Sequence, residues 1–217
     1  MHHTTTRRPL ALAGAAVMAG LLIGCTKPDG AERPLTGQEL FAACASCHGA
    51  KGEGNPSIAA PAIAGLPAWY VEAQLVKFRT GVRGAHPDDY EGLRMRPMSR
   101  QMRDEGEVKR VAEYVASMPL TKPAKTLDGD ATAGAASYAT CLACHGPNGA
   151  GNEALKAPPI AGQSDWYLLA QLKKFKAGVR GANPKDVTGG QMRPMAMTLA
   201  DETAMKNVVA HISTLSR

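Results

Sequence analysis

The chain is, for most of its length, one sequence written twice. Shifting it by 97 positions superimposes Gly49 on Gly146, Gly54-Asn55 on Gly151-Asn152, Ile63-Ala64-Gly65 on Ile160-Ala161-Gly162 and Trp69-Tyr70 on Trp166-Tyr167. From that point the register needs no gap. Gln74-Leu75, Phe78, the run 81–85, Pro87 and the Met-Arg-Pro-Met of 95–98 fall on Gln171-Leu172, Phe175, 178–182, Pro184 and 192–195. A duplication of this kind restricts the fold to two copies of one small domain. Each copy has fewer than 100 residues and the chain is only 5% aromatic, so the protein core of either half would by itself be marginal.

Each copy carries the same pentapeptide pattern, Cys44-Ala45-Ser46-Cys47-His48 in the first and Cys141-Leu142-Ala143-Cys144-His145 in the second. Two cysteines at this spacing with a histidine directly after them form the attachment signature of c-type haem. The thiols make thioethers to the porphyrin vinyl groups, and the histidine is placed under the ring to ligate iron. Two covalent haems would supply the apolar mass that each half lacks. Four of the five cysteines are thereby committed, so no disulfide is expected.

The fifth, Cys25, ends a different segment. Arg7 and Arg8 form a basic start, residues 9–23 are apolar and rich in Ala, Gly and Leu, and Leu22-Ile23-Gly24-Cys25 has the form of a bacterial lipobox. The expectation is a signal peptide over 1–24, a lipid on Cys25 and a tether over 25–36, placing the protein on the periplasmic side as a membrane-anchored lipoprotein. The two haem-bearing halves then span 37–120 and 131–217, with a linker at 121–130. The formal charge of +6 falls to +4 on side chains once Arg7 and Arg8 are removed. Four haem propionates would offset that, so the basic composition is poor support for nucleic-acid binding.

Periodicity predicts an all-α fold with three or more short helices per half. In the first half they fall near 38–43, 68–79 and 104–118, and in the second near 135–140, 165–176 and 201–215. Asp104-Glu105 and Asp201-Glu202 put acids in a first helical turn, and Gly81 and Gly178 are placed to end the middle helices. The Gly- and Pro-containing stretches 49–65 and 81–97 read as loops long enough to wrap a haem.

The ligand opposite each histidine is sought among the methionines, because a thioether stabilises ferrous iron and raises its potential. Met95, Met98 and Met102 cluster in one half, and Met192, Met195 and Met197 in the other; only Met95/Met192 and Met98/Met195 are matched by the repeat. The repeated Met-Arg-Pro-Met reads as a loop in which proline stiffens the backbone. Other histidines have weaker claims. His86 is replaced by Asn183 in the other copy, His211 by Tyr114, and His2 and His3 fall in the segment expected to be removed.

Taken together, the haem motifs, the Pro-x-Ile-Ala-Gly segments, the Tyr-x-x-x-Gln-Leu helices and the methionine segments resemble the cytochrome c4 family, tandem dihaem proteins with two class I cytochrome c domains. The resemblance covers 37–215. It implies His48/Met95 and His145/Met192 as the axial pairs, and the carbonyls of Pro61 and Pro158 as acceptors for the second ring nitrogen of each histidine. The chain departs from the family where a capping Ser or Thr is common before the last helix, since Arg103 and Ala200 stand there. Arg83 and Arg180 are candidates to pair with haem propionates, against the alternative of solvated loop arginines. Trp69, Trp166, Tyr70 and Tyr167 read as packing for the haem pocket or the interface between the halves.

The function expected is that of an electron carrier, not an enzyme. Two iron centres would pass single electrons between a membrane-associated donor and acceptor, such as a dehydrogenase and a terminal oxidase. Two alternatives stand beside it: a haem subunit of a larger dehydrogenase or oxidase complex, and a dihaem peroxidase or thiosulfate-oxidising enzyme. The last would need an exchangeable ligand position, which the duplicated methionines argue against.

Overall fold

The computed structural model describes residues 1, 2 and 33–217, so Cys25, most of the tether and all but the first two residues of the expected signal peptide lie outside the described residues. From Pro34 onward the chain forms a single compact unit. It is all-α, with helices α1 (Gly37–His48), α2 (Ala68–Thr80), α3 (Tyr90–Ser99) and α4 (Glu105–Ser117) in the first half, and α5 (Ala131–His145), α6 (Asp165–Lys176), α7 (Val187–Met197) and α8 (Glu202–Ile212) in the second. A 3-10 turn covers Pro56–Ile58. Among the described residues β pairing is limited to two isolated bridges, Asn55 with Ala60 and Asn152 with Ala157, which are repeat equivalents. No described helix is long and apolar enough to cross a membrane.

Local chemistry sets the helix ends. Thr36 caps α1 through a reciprocal box: its hydroxyl accepts from Glu39 N at 3.2 Å, and the Glu39 carboxylate accepts from Thr36 N at 2.8 Å. The last helices are capped by aspartate. Asp104 accepts from Glu107 N and Asp201 from Ala204 N, each at 2.8 Å. These two residues therefore precede the first turn instead of belonging to it. They occupy the role of the missing Ser or Thr one position beyond Arg103 and Ala200.

In each half the first helix crosses the last at a glycine. A Cβ on Gly37 would lie 2.3 Å from Arg110 O, and one on Gly134 would lie 1.9 Å from Asn207 O. Arg110 and Asn207 are themselves 97 residues apart, so the crossing is duplicated with the sequence. Around it Phe41, Met102, Val108, Val111 and Val115 form one core, and Tyr138, Leu168, Leu169, Leu199, Met205, Val208, Val209 and Ile212 the other. Val108, Val111 and Val115 share a face of α4 at helical spacing and are at most 2% exposed. Burying each stabilises the fold by roughly 1.5–3 kcal/mol.

Two helices were not anticipated. The segment 81–97, expected as loop, contains most of α3, and its counterpart 178–194 contains most of α7. Met-Arg-Pro-Met therefore lies on a helix in both halves. Gly92, Gly189 and Gly190 weaken helix propensity, and Pro97 and Pro194 suggest a break. Each proline removes one i→i−4 bond, but it falls in the last turns of a short helix, so most of the ladder before it is kept. Side-chain caps at Asp89 and Asp186, which accept from Gly92 N and Gly189 N at 3.2 and 3.0 Å, secure the other end.

The connector has no regular structure from 119 to 130. It is nevertheless anchored, because the buried carboxylate of Asp165 accepts from Thr126 N and Oγ1 at 2.6 Å and from Leu127 N at 2.8 Å.

Candidate haem centres

A cavity lies beside each haem-attachment motif. Cys44, Cys47, His48, Met95 and Met98 line the first, of about 230 Å³. Cys141, Cys144, His145, Met192 and Met195 line the second, of about 350 Å³. Both walls are mainly apolar, with Phe78, Val111 and Val115 in one and Phe175, Val208 and Ile212 in the other. α1 and α5 bring the cysteines and histidines, while α3 and α7 bring the methionines from the opposite direction in sequence.

The histidines are oriented in the same way. His48 Nδ1 donates to Pro61 O at 2.8 Å, and His145 Nδ1 to Pro158 O at 2.8 Å. A carbonyl can only accept, so the proton sits on Nδ1 and the lone pair on Nε2. Burial pushes the pKa of both imidazoles down, outweighing the opposing effect of the carbonyl. Each ring is thus held neutral and aimed, the state that binds a metal. The four motif thiols are not paired with one another or with any other cysteine among the described residues.

The two methionines of each pair differ. Met95, Met98 and Met192 are half-buried at their cavities, whereas Met195 is 37% exposed, so burial separates the second pair and not the first. The Met98 sulfur already accepts from Gln101 Nε2 at 3.6 Å. Met102 is buried in the core with Val108 and Val111, and Met197 is exposed. His86 and His211 are elsewhere: His86 sits in an exposed turn against Asp88, and His211 packs tilted against the Tyr138 ring, 5.1 Å between centroids.

Sequence reasoning did not anticipate that the cavities share walls. Tyr70, Gln74, Tyr167 and Gln171 line both, Trp69 of the first half lines the second cavity, and Trp166 of the second half lines the first. Between them lies a polar network with approximate two-fold symmetry. Arg83 donates to Gln74 Oε1 at 2.7 Å and Gln171 Oε1 at 3.1 Å, while Arg180 donates to Gln171 Oε1 at 2.7 Å and Gln74 Oε1 at 3.2 Å. Arg83 also donates to Tyr167 Oη at 3.2 Å. Burial pushes the Tyr167 phenol up, but Arg83, Arg180 and Lys174 together bring it down to about 8. The arginines are therefore not solvated loop residues. Trp69 and Trp166 with the two tyrosines serve pocket and interface at once.

The residues present fit haem on two further counts. Arg83 Nε and Arg180 Nε are buried without a hydrogen-bond partner, each at a cavity wall, where a propionate carboxylate would satisfy it. The apolar linings match a porphyrin. Two helical domains, each with a haem-attachment motif at the wall of an apolar cavity, define a dihaem c-type cytochrome.

The comparisons place it further. The cytochrome c family profile matches residues 35–119 and 131–216. The chain is 36% identical over 165 residues to a thiosulfate dehydrogenase electron acceptor of Stutzerimonas stutzeri (strain A1501), covering 71% of this chain and 72% of that one. It is 31% identical over 169 residues to cytochrome c4 of Thiocapsa roseopersicina, covering 73% and 80%. Among solved structures, reduced recombinant cytochrome c4 from Pseudomonas stutzeri superimposes with a TM-score of 0.64 at 25% identity, over 83% of this chain and 97% of that one. Thiosulfate dehydrogenase (TsdBA) from Marichromatium purpuratum gives 0.66 at 30% identity, over 83% of this chain but only 40% of that longer one. The chain belongs to the cytochrome c family, as a tandem, c4-like member that binds two covalent haem c groups and transfers electrons.

Proposed function

We propose that each iron is held between a histidine and a methionine, His48 with Met95 and His145 with Met192, and that the pair relays single electrons between membrane-associated respiratory partners. The observation that carries this reading is the convergence, in both halves, of a tautomer-fixed histidine and a half-buried methionine on one apolar cavity. When bound, each haem supplies a one-electron change between ferric and ferrous iron. The chain's own residues do the rest. His48 and His145 present Nε2 in a fixed direction, Met95 and Met192 offer a soft donor favouring the ferrous state, and Phe78, Phe175 and the valines of α4 and α8 exclude water. Arg83 and Arg180 hold positive charge where the two cavities meet. With His48, Met95, His145 and Met192 all so engaged, the chain would leave neither centre an open position for substrate.

The expected site is the periplasmic face of a bacterial membrane, with a lipid on Cys25 keeping the relay beside its partners. Optical and resonance Raman spectra of the purified holoprotein test the ligand reading. Two six-coordinate low-spin haems that do not bind carbon monoxide at neutral pH are expected; a five-coordinate haem would sink it. A specific donor is favoured by the Stutzerimonas stutzeri relative, described as a thiosulfate dehydrogenase electron acceptor. Rapid reduction of this protein on mixing with a bacterial thiosulfate dehydrogenase and thiosulfate is the matching assay. Reduction no faster than that of an unrelated cytochrome c would remove that donor.

A further inference from the structure

Two lysines at equivalent places in the repeat cross the boundary between the halves. Lys77 Nζ, on α2, lies 2.6 Å from Asp186 Oδ1 and 2.5 Å from Thr188 Oγ1. Lys174 Nζ, on α6, lies 2.6 Å from Asp89 Oδ1 and also pairs with Glu91. The aspartates are 2% and 3% exposed, and the lysine side chains 17% and 14%. Asp186 and Asp89 are the N-caps of α7 and α3, the helices that bear Met192 and Met95. The oxygen that accepts from the lysine is the same one that accepts from the helix backbone, at Gly189 N or Gly92 N.

We propose that Lys77 and Lys174 are positioning residues that act across the boundary, each fixing the start of the helix that presents the methionine of the opposite half. This rests on Met95 and Met192 as ligands. A buried aspartate at a helix start is favoured by the helix dipole, but its desolvation is fully met only with a cation. The cation comes from the other half in both cases. α3 and α7 are short, contain Pro97 and Pro194, and carry Gly92, Gly189 and Gly190 near their starts, so their caps hold much of their order. Met95 and Met192 each lie six residues beyond the cap, within the second helical turn. Integrity of each haem site therefore depends on a residue belonging to its neighbour.

The test uses the ferrous holoprotein, in which a methionine bound to low-spin iron gives its own strongly shifted methyl signal by NMR, assigned with Met95 and Met192 variants. Lys77→Met is expected to broaden or remove the Met192 signal and to speed amide exchange at Gly189 and Gly190 by about ten- to a hundredfold, leaving the Met95 signal and the Gly92 amide unchanged. Lys174→Met is expected to give the mirror image. Asp186→Asn keeps a capping oxygen but loses the ion pair, and should act in the same direction as Lys77→Met, while Lys77→Arg should restore most of the protection. Effects confined to the lysine's own half, or equal in both halves, would overturn the proposal, as would unchanged exchange at Gly189. If the unmodified protein shows no methionine signals, the ligand reading fails on its own, and the exchange measurement still decides whether the lysines act across the boundary.

Discussion

His48 Nδ1 donates to the carbonyl oxygen of Pro61 across 2.8 Å, and the same bond recurs between His145 and Pro158. The acceptor lies thirteen residues after the histidine in each half, at the far end of a turn closed by the Asn55–Ala60 bridge or its Asn152–Ala157 counterpart. A backbone acceptor holds the ring through any side-chain change at the proline. Histidine orientation is thus built into the loop geometry, and the variable parts of each centre are the methionine and the charges around it.

Replacing Met95 by Ala should abolish the sulfur-to-iron charge-transfer band of the N-terminal haem and lower its potential, leaving the C-terminal haem unchanged. Met98→Leu should preserve the band, because Met98 is already engaged with Gln101. Oxidised-state absorption spectra and an optical redox titration of both variants decide the matter; loss of the band in Met98→Leu alone would assign the ligand to Met98.

Arg83 lines the first cavity with a buried, unpartnered Nε. Reduction adds a negative charge to the iron site, and a nearby cation favours it. Arg83→Leu should therefore lower the potential of the N-terminal haem, by about 30–60 mV, with a smaller shift at the C-terminal haem because Arg83 also contacts Gln171 and Tyr167. Spectroelectrochemistry of the variant measures both shifts, and an unchanged or raised potential at the first haem would contradict the placement of Arg83 beside it.

Asp165 gives the second half a sensitivity to acid. Burial alone would push its carboxyl up, but the hydrogen bonds from Thr126, Leu127 and Trp166 N overcome that and leave it below the ordinary carboxylate value of 3.8. A depressed carboxyl contributes stability that is complete above its unfolded pKa and is lost as pH falls through the folded one. Urea titrations should show this contribution intact at pH 5 to 7 and fading below about pH 4. Asp165→Asn should cost about 2–3 kcal/mol at pH 7, and its stability should fall less steeply with acid than that of the unmodified protein.

Gly134→Ala tests the helix crossing. The added methyl would have to share space with Asn207 O, so α5 and α8 must separate. Overpacking of this kind costs about 1–3 kcal/mol, observable as a lower denaturation midpoint. An equal substitution at the exposed Ala136 of the same helix, to Ser, should cost much less.

Much of this protein was legible in its sequence because its strongest signals are local or repeated. The Cys-x-x-Cys-His motifs, the capped start of α1 and the valine face of α4 depend on neighbours in the chain. α3 and α7 escaped notice because glycine and proline mark them as loop; they are helical because aspartate caps and interface lysines, distant in sequence, hold them so. The arginines at 83 and 180 were visible as a repeated pair, but nothing local distinguished a solvated loop from a half-buried network.

The sequence by itself determined that there are two equivalent all-α halves, each with covalent haem attachment and a histidine and methionines within reach, since duplication and motif spacing are properties of a linear chain. Only the tertiary structure decided that the two cavities share tyrosine and glutamine walls, that each is lined by a tryptophan from the other half, and that Lys77 and Lys174 reach across to Asp186 and Asp89. The physical reason is distance along the chain. Pairings between residues more than 80 positions apart depend on how the two halves dock, and docking is set by the shape and charge of assembled surfaces, which no local pattern encodes.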